Sequence, residues 1–194
     1  MRSSLLISRL HFVFDLHVSK RVAFRPLARA DAFPFFQATQ HPDFNRYLLW
    51  HAPKTEAEFL PRIDRLLRET MMNQAVVLSI CDRNTGTWLG TAVIKPLRNG
   101  LEVGLLIHPS RWNTSTVFAA GQGVVEILLR RLPETEIYMR VRRGNVKMEK
   151  IARKFCFEPI AEEALPHVDG SSHPVDVYRL NKEKWTEYNG LDGY

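Results

Sequence analysis

Only two cysteines, Cys81 and Cys156, occur in 194 residues. That is too few for a disulfide scaffold, and a reduced, cytoplasmic setting is the expectation. Glycine and proline are sparse and scattered, 10 and 11 residues, which excludes collagen-like and low-complexity chains. No uncharged run approaches the ~18 apolar residues of a membrane span, so no membrane partner is expected. The opening Met1–Leu10 imitates a signal peptide for a few residues. Arg9, His11 and Asp15 then interrupt any apolar stretch, and export is not expected. There is no P-loop and no GxGxxG or HExxH motif. The histidines (His11, His17, His41, His51, His108, His167, His173) form no cluster with cysteine, so no metal is expected. What remains is an ordinary composition, 45% hydrophobic, 25% charged and 10% aromatic, fitting one compact domain.

The formal net charge is +6, and it is unevenly placed. Residues 140–154 hold seven basic residues (Arg140, Arg142, Arg143, Lys147, Lys150, Arg153, Lys154) against one acid, Glu149. The surplus of that segment equals the surplus of the whole chain. Such concentration points to an anionic partner, the alternative being a solvated helix face. Nucleic acid is the weaker choice of partner. The segment has no aromatic residue to stack a base, and no zinc or helix-turn-helix pattern frames it.

Alternating apolar residues predict strands at His11–Val18 and Arg21–Leu27. Asp31 is placed to cap a short helix through Phe35, Phe36 and Ala38. Thr55 with Glu58 reads as a capping box for the next helix, striped by Phe59, Ile63, Leu66, Leu67 and Thr70. Strands at Ala75–Cys81, Thr87–Lys95 and Leu101–Ile107 are separated by about five residues, which implies an antiparallel meander. A helix follows from about Thr116 to Leu132, with Val117, Gly121, Val124, Val125, Leu128 and Leu129 on one face. Gly121-Gln122-Gly123 inside it reads as close packing. Then come a strand at Ile137–Val141, a helix at Val146–Lys154 and strands at Phe157–Ala161 and Val175–Leu180. Met148 falls in the apolar stripe of that helix as core filler, and both cysteines read as buried structural thiols. The expected architecture is α+β (α/β), a mixed, mostly antiparallel sheet of six or seven strands with about four helices. Residues 1–19 are an extension, 20–181 a single domain, and 182–194 a polar, loosely held tail.

This order, with His108-Pro109-Ser110-Arg111-Trp112 at a strand-to-helix junction and Asn145 through Glu158 near the end, resembles the GNAT N-acetyltransferase superfamily. It looks most like the branch that acetylates the N-termini of ribosomal proteins. Further marks are Arg25-Pro26-Leu27, His41-Pro42-Asp43, Asn45-Arg46-Tyr47-Leu48, Trp50, Leu89-Gly90-Thr91 and Glu102-Val103-Gly104.

The resemblance implies acetyl-CoA as cosubstrate and an amine acceptor. The pyrophosphate would lie on backbone amides opening a helix, here Trp112, Asn113, Thr114, Ser115, Thr116 and Val117. This loop departs from the family, where glycine or alanine stands at the positions of Ser115 and Val117. The Val117 side chain is expected to crowd the anion. A second departure is Cys156, where the family ending carries glycine. Asn145 is the counterpart that would bond the pantetheine arm. Lys147, Lys150 and Lys154 share a helix face and would meet the CoA phosphates. Backbone amides around Leu105, Leu106 and Ile107 would polarise the thioester carbonyl. Glu102 is the carboxylate best placed to relay a proton, with His108 as the second candidate base. Trp50 and His51 would line the acceptor groove, and Glu56 and Glu58 would attract a cationic amine. The alternative is a catalytically eroded GNAT-fold module whose basic face docks on RNA, the ribosome or a protein. Monomer and homodimer both stay open.

Overall fold

A computed structural model describes residues 21–48, 50–166 and 170–189. The strand expected at His11–Val18 and the extension 1–19 lie outside the described residues. Alternation at Arg21–Leu27 becomes strand β1 (Val22–Pro26), with Val22 and Phe24 buried. One 3-10 turn, Arg29–Asp31, leads into helix α1 (Ala32–Thr39). Asp31 makes no side-chain cap bond to this helix, contrary to expectation. Its buried carboxylate instead takes both Arg25 guanidinium nitrogens at 2.6 and 2.8 Å, Ser79 Oγ at 2.6 Å and the Ala28 N–H at 2.9 Å. Burial alone would raise the Asp31 pKa. The donors from Arg25, Ser79 and Ala28 outweigh it and hold the group below its usual range.

Helix α2 (Glu56–Met71) starts where Thr55 Oγ1 accepts the Glu58 N–H at 3.2 Å. Glu58 closes on the Lys54 N–H at 2.8 Å, one residue before the partner that a full capping box uses. The meander follows as β2 (Val76–Asp82), β3 (Trp88–Leu97) and β4 (Gly100–Ile107). Pro96 and Leu97 remain paired with Leu101 and Gly100, so the turn narrows to Arg98 and Asn99. At Gly90 a Cβ would stand 2.4 Å from the Leu106 carbonyl oxygen, so this position seats β4 against β3. The remaining elements are α3 (Thr116–Arg131), β5 (Ile137–Arg142), α4 (Val146–Lys154), β6 (Phe157–Pro166), β7 (Ser172–Leu180) and α5 (Lys182–Asn189).

The seven strands form one sheet in the order β1-β2-β3-β4-β5-β7-β6. Among the described residues only β4 and β5 pair in parallel. Alternate residues divide between the faces. One face carries α3, α4 and α5 over the larger core, which holds Val117, Val124, Leu128, Ala152 and Trp185. The other carries α1 and α2 over an aromatic core, where Phe35 stacks on Trp88 at 5.3 Å and meets Phe59 edge-on at 5.0 Å. Among the described residues no helix is long and apolar enough to cross a membrane.

The helix number is five among the described residues, not four, because residues 182–189 are not a loose tail. Trp185 is 1% exposed and its ring lies 5.9 Å from Phe155. A polar average hides a single aromatic anchor, and one such residue seats a short helix.

Candidate active site

Strands β4 and β5 pair at only two positions, Leu101–Ile137 and Glu102–Tyr138. Beyond them β4 continues to Ile107 and β5 to Arg142 without pairing to each other. The Leu101 N–H donates to Glu136 O at 2.9 Å on the β5 side, and the His108 N–H to Leu89 O at 2.8 Å on the β3 side. Strand alternation therefore turns the N–H groups of Val103, Leu105 and Ile107 into the gap and that of Leu106 toward β3. Of the three residues expected at the carbonyl, Leu105 and Ile107 turn their N–H groups into the gap and Leu106 does not. The Ile107 carbonyl is held by Trp112 Nε1 at 2.8 Å.

The loop into α3 contains no glycine and no residue of positive φ. Its Thr114 N–H donates to Arg111 O at 3.2 Å, and the Thr116 N–H to Thr114 Oγ1 at 3.2 Å. Ser115 Oγ accepts from the Arg21 guanidinium. Three of the amides expected to hold an anion are thus engaged locally, those of Thr114 and Thr116 and that of Trp112, which donates to Pro109 O at 3.2 Å. The first-turn amides of α3, those of Val117 and Phe118, lie beyond them. The Val117 side chain is 6% exposed and belongs to the larger core. It packs inward and does not crowd the loop, which corrects the expectation.

Two α4 lysines face this helix start. Lys147 Nζ lies 5.8 Å from the Trp112 ring and Lys154 Nζ 4.1 Å from the Phe118 ring. Lys150 is exposed. A helix N-terminus flanked by Arg21, Lys147 and Lys154 fits a pyrophosphate with a further phosphate nearby. Asn145 caps α4 by accepting the Met148 N–H on Oδ1 at 3.3 Å, a bond that does not use Nδ2. Met148 packs against the larger core, as its periodicity implies. The basic segment itself is partly neutralised. Arg140 holds Glu102 at 2.6 Å and Glu163 at 2.8 Å, and Arg143 holds Glu162 at 2.7 Å and Asp176 at 2.8 Å.

On the α1–α2 face, Glu102, Gly104 and Leu106 alternate along β4 and Arg140 and Arg142 along β5. Glu102 stands where the gap closes and accepts from Arg140 Nη1 on Oε2 at 2.6 Å. Above Gly104 a Cβ would meet nothing within 4 Å, so the space beside the gap is open there. His108 ends β4 and lines a cleft of about 450 Å³ with Gln37, His41 and Ser110. Burial first, then Arg111 and His41, push its pKa below the ordinary value, and the ring is neutral at pH 7. Its Nδ1 accepts the Ser110 N–H at 3.2 Å, which assigns the ring proton to Nε2. Neutral His108 so presents a donor.

Residues 44–48 reach from α1 to the end of β5. Asn45 Nδ2 donates to Thr39 O at 2.6 Å and Tyr47 Oη to Gly144 O at 3.0 Å. Trp50 gives Nε1 to Asn45 Oδ1 at 2.8 Å, with the Arg62 guanidinium stacked 3.5 Å from its ring. Burial, helped by Arg65, lowers the Arg62 pKa to about 10. His51 is exposed, and Glu58 is engaged at Lys54. Cys81 is buried and Cys156 half-buried. Burial raises both thiol pKa values, which keeps them protonated. Among the described residues no three His, Cys, Asp or Glu side chains gather as a metal site.

Sequence reasoning missed the opening over Gly104 and the position of Arg142. A glycine inside a strand was the one available signal, since it marks close approach of another group.

The family model of the acetyltransferase (GNAT) domain matches residues 21–158. No curated protein matches the chain in sequence. Solved structures of similar fold include a GCN5-related N-acetyltransferase from Brucella melitensis. It has a TM-score of 0.74 at 16% identity, over 87% of this chain and 79% of that one. A protein described as a ribosomal-protein-serine acetyltransferase, from Vibrio cholerae, has a TM-score of 0.74 at 16% identity, over 84% and 95%. RimL, a ribosomal L7/L12 alpha-N-protein acetyltransferase, has a TM-score of 0.70 at 16% identity, over 84% and 92%.

Proposed function

The chain belongs to the GNAT acetyltransferase family, and from that premise we propose that it is an acetyl-CoA-dependent N-acetyltransferase acting on a primary amine. The acceptor is a protein N-terminus or a small-molecule amine. The observation that carries this reading is the parting of β4 from β5 beyond Glu102, with the Leu105 and Ile107 amides turned into the gap. Bound acetyl-CoA would supply an activated acyl group as a thioester. Leu105 and Ile107 would donate to its carbonyl oxygen, where charge develops during attack. The first turn of α3 with Lys147 and Lys154 would hold the phosphates, and Asn145 Nδ2 the pantetheine arm.

Glu102 keeps Oε1 for the acceptor while Oε2 stays with Arg140. It orients the entering amine and takes its proton toward water at the closed end of the gap. His108 Nε2–H adds a donor at the other end of β4. Trp50 and His51 belong to the acceptor wall. A reducing, cytoplasmic setting goes with a chain of only two cysteines, both free.

One observation favours a second reading. The loop engages its own Thr114 and Thr116 amides, as an eroded site that serves only binding would. Calorimetric titration of acetyl-CoA and of its 3′-dephosphorylated form separates the two, with mass-spectrometric detection of an acetylated amine. The expected result is binding of both, weaker without the 3′-phosphate, and product. No heat at millimolar ligand would leave the binding module standing.

A further inference from the structure

The arginines of β5 are not treated alike. Arg140 lies between Glu102 and Glu163, and Arg143 between Glu162 and Asp176. Arg142, on the same face as Arg140, meets no carboxylate among the described residues. Its Nη1 donates to Arg46 O at 3.0 Å, and Nη2 lies 3.0 Å from His173 Nδ1. A carbonyl and an imidazole leave the charge of a half-buried guanidinium uncompensated, whereas its neighbours each hold two anions. Three parts of the fold converge on it: residues 44–48, the end of β5 and the start of β7.

The second such cation on this face is Arg62, stacked over Trp50 with its Nη1 buried and unbonded. The carboxylates nearby are taken. Glu102 and Glu163 hold Arg140, Glu162 and Asp176 hold Arg143, Asp43 lies 3.6 Å from Arg46, and Glu58 holds the Lys54 N–H. Arg142 and Arg62 thus lack a carboxylate partner among the described residues, and each can take one from an entering acceptor.

We infer that the acceptor amine carries a carboxylate a few bonds from its nitrogen, and that Arg142 reads this carboxylate in place of the His173 imidazole. The inference rests on the acetyl-transfer reading for taking the gap as the reacting site. It reverses the expectation that Glu56 and Glu58 draw in a cationic amine. A planar guanidinium suits a carboxylate in two-point contact, and the source of that group is either a free amino acid or an acidic residue next to a peptide N-terminus.

The test is calorimetric binding of three peptides that begin Ser-Asp, Ser-Ala and Ser-Lys, and of free aspartate, to the wild type, R142Q and R142K. For the wild type, the aspartyl ligands should bind at least about 10-fold more tightly than the alanyl peptide. R142Q should erase that difference and R142K retain part of it, with acetyl-CoA affinity equal in all three proteins. Preference for free aspartate assigns a small acidic amine, and preference for Ser-Asp an acidic N-terminus. Equal binding of acidic and neutral ligands, or an acid preference that survives R142Q, overturns the proposal. Acetylated product, measured in the same mixtures, reports on the transferase assignment separately. Its absence beside an intact acid preference would overturn that assignment and leave anion recognition by Arg142 in place.

Discussion

On the α3–α4 side, the gap between β4 and β5 is bordered by helices seated on a continuous apolar core. On the α1–α2 side it is bordered by a segment and a hairpin held by side-chain hydrogen bonds and ion pairs. Val117, Val124 and Ala152 fix the first side by burial, and Tyr47, Arg142, Arg140 and Glu163 fix the second by individual polar contacts. The two sides therefore tolerate change differently. Backbone amides at a helix start keep their direction whatever side chain follows, so a loop without glycine still ends in donors. A polar wall changes its ligand when one guanidinium loses or gains a carboxylate.

The sharpest way to break the second side alone is to fill the opening over Gly104. Gly104→Leu should lower turnover by about 10³-fold, since misplacing the acceptor forfeits the advantage of orientation. Acetyl-CoA affinity, measured by calorimetry, should not move. Equal loss of both would join the two sides into one.

Val117→Gly probes the first side. The residue lies in the larger core, so the change should cost about 3 kcal/mol from lost burial and glycine's helix penalty. Denaturant unfolding measures it. Acetyl-CoA binding should not tighten, because the removed methyl groups do not face the loop.

Glu102→Gln should reduce kcat by about 10²-fold with unchanged acetyl-CoA affinity. His108→Gln should cost less than about 10-fold. Because burial lowers the His108 pKa, the ring is neutral at pH 7 and above, and kcat/KM between pH 7 and 8 should keep its shape in that variant. If the profile loses an acid limb instead, the base is His108.

The smallest effect is expected at Cys156, which holds a left-handed backbone with φ of 59° at the end of α4. Glycine adopts that conformation freely, so Cys156→Gly should raise stability by about 1 kcal/mol. A thermal shift toward lower temperature would show that the thiol's packing outweighs the strain.

The strands and helices around the gap were legible because each buries one face, and burial leaves a period of 2 or 3.6 in the chain. The α3 stripe of Val117, Gly121, Val124, Val125, Leu128 and Leu129 is buried as that period implies. Gly121 is tight as read, with Phe155 only 2.6 Å from where a Cβ would stand. Val117 carried two conflicting readings in the sequence, the buried stripe and the crowded loop, and the pairing of the basic segment was not legible. Whether a residue at the first turn faces a ligand or the core depends on the rotation of the helix. That rotation is set by Phe155 and the sheet beneath. Likewise, Arg140 and Arg143 are adjacent to no acid in sequence, and their carboxylates arrive from β4, β6 and β7.

By itself the sequence determined the elements, their order and the family they resemble, because hydrophobic periodicity and short motifs are local properties. Only the tertiary structure decided which amides face the gap, which arginines lack a carboxylate and which of its two readings holds for Val117. Those follow from register, helix rotation and charge pairs between residues far apart in the chain, and no local pattern encodes them.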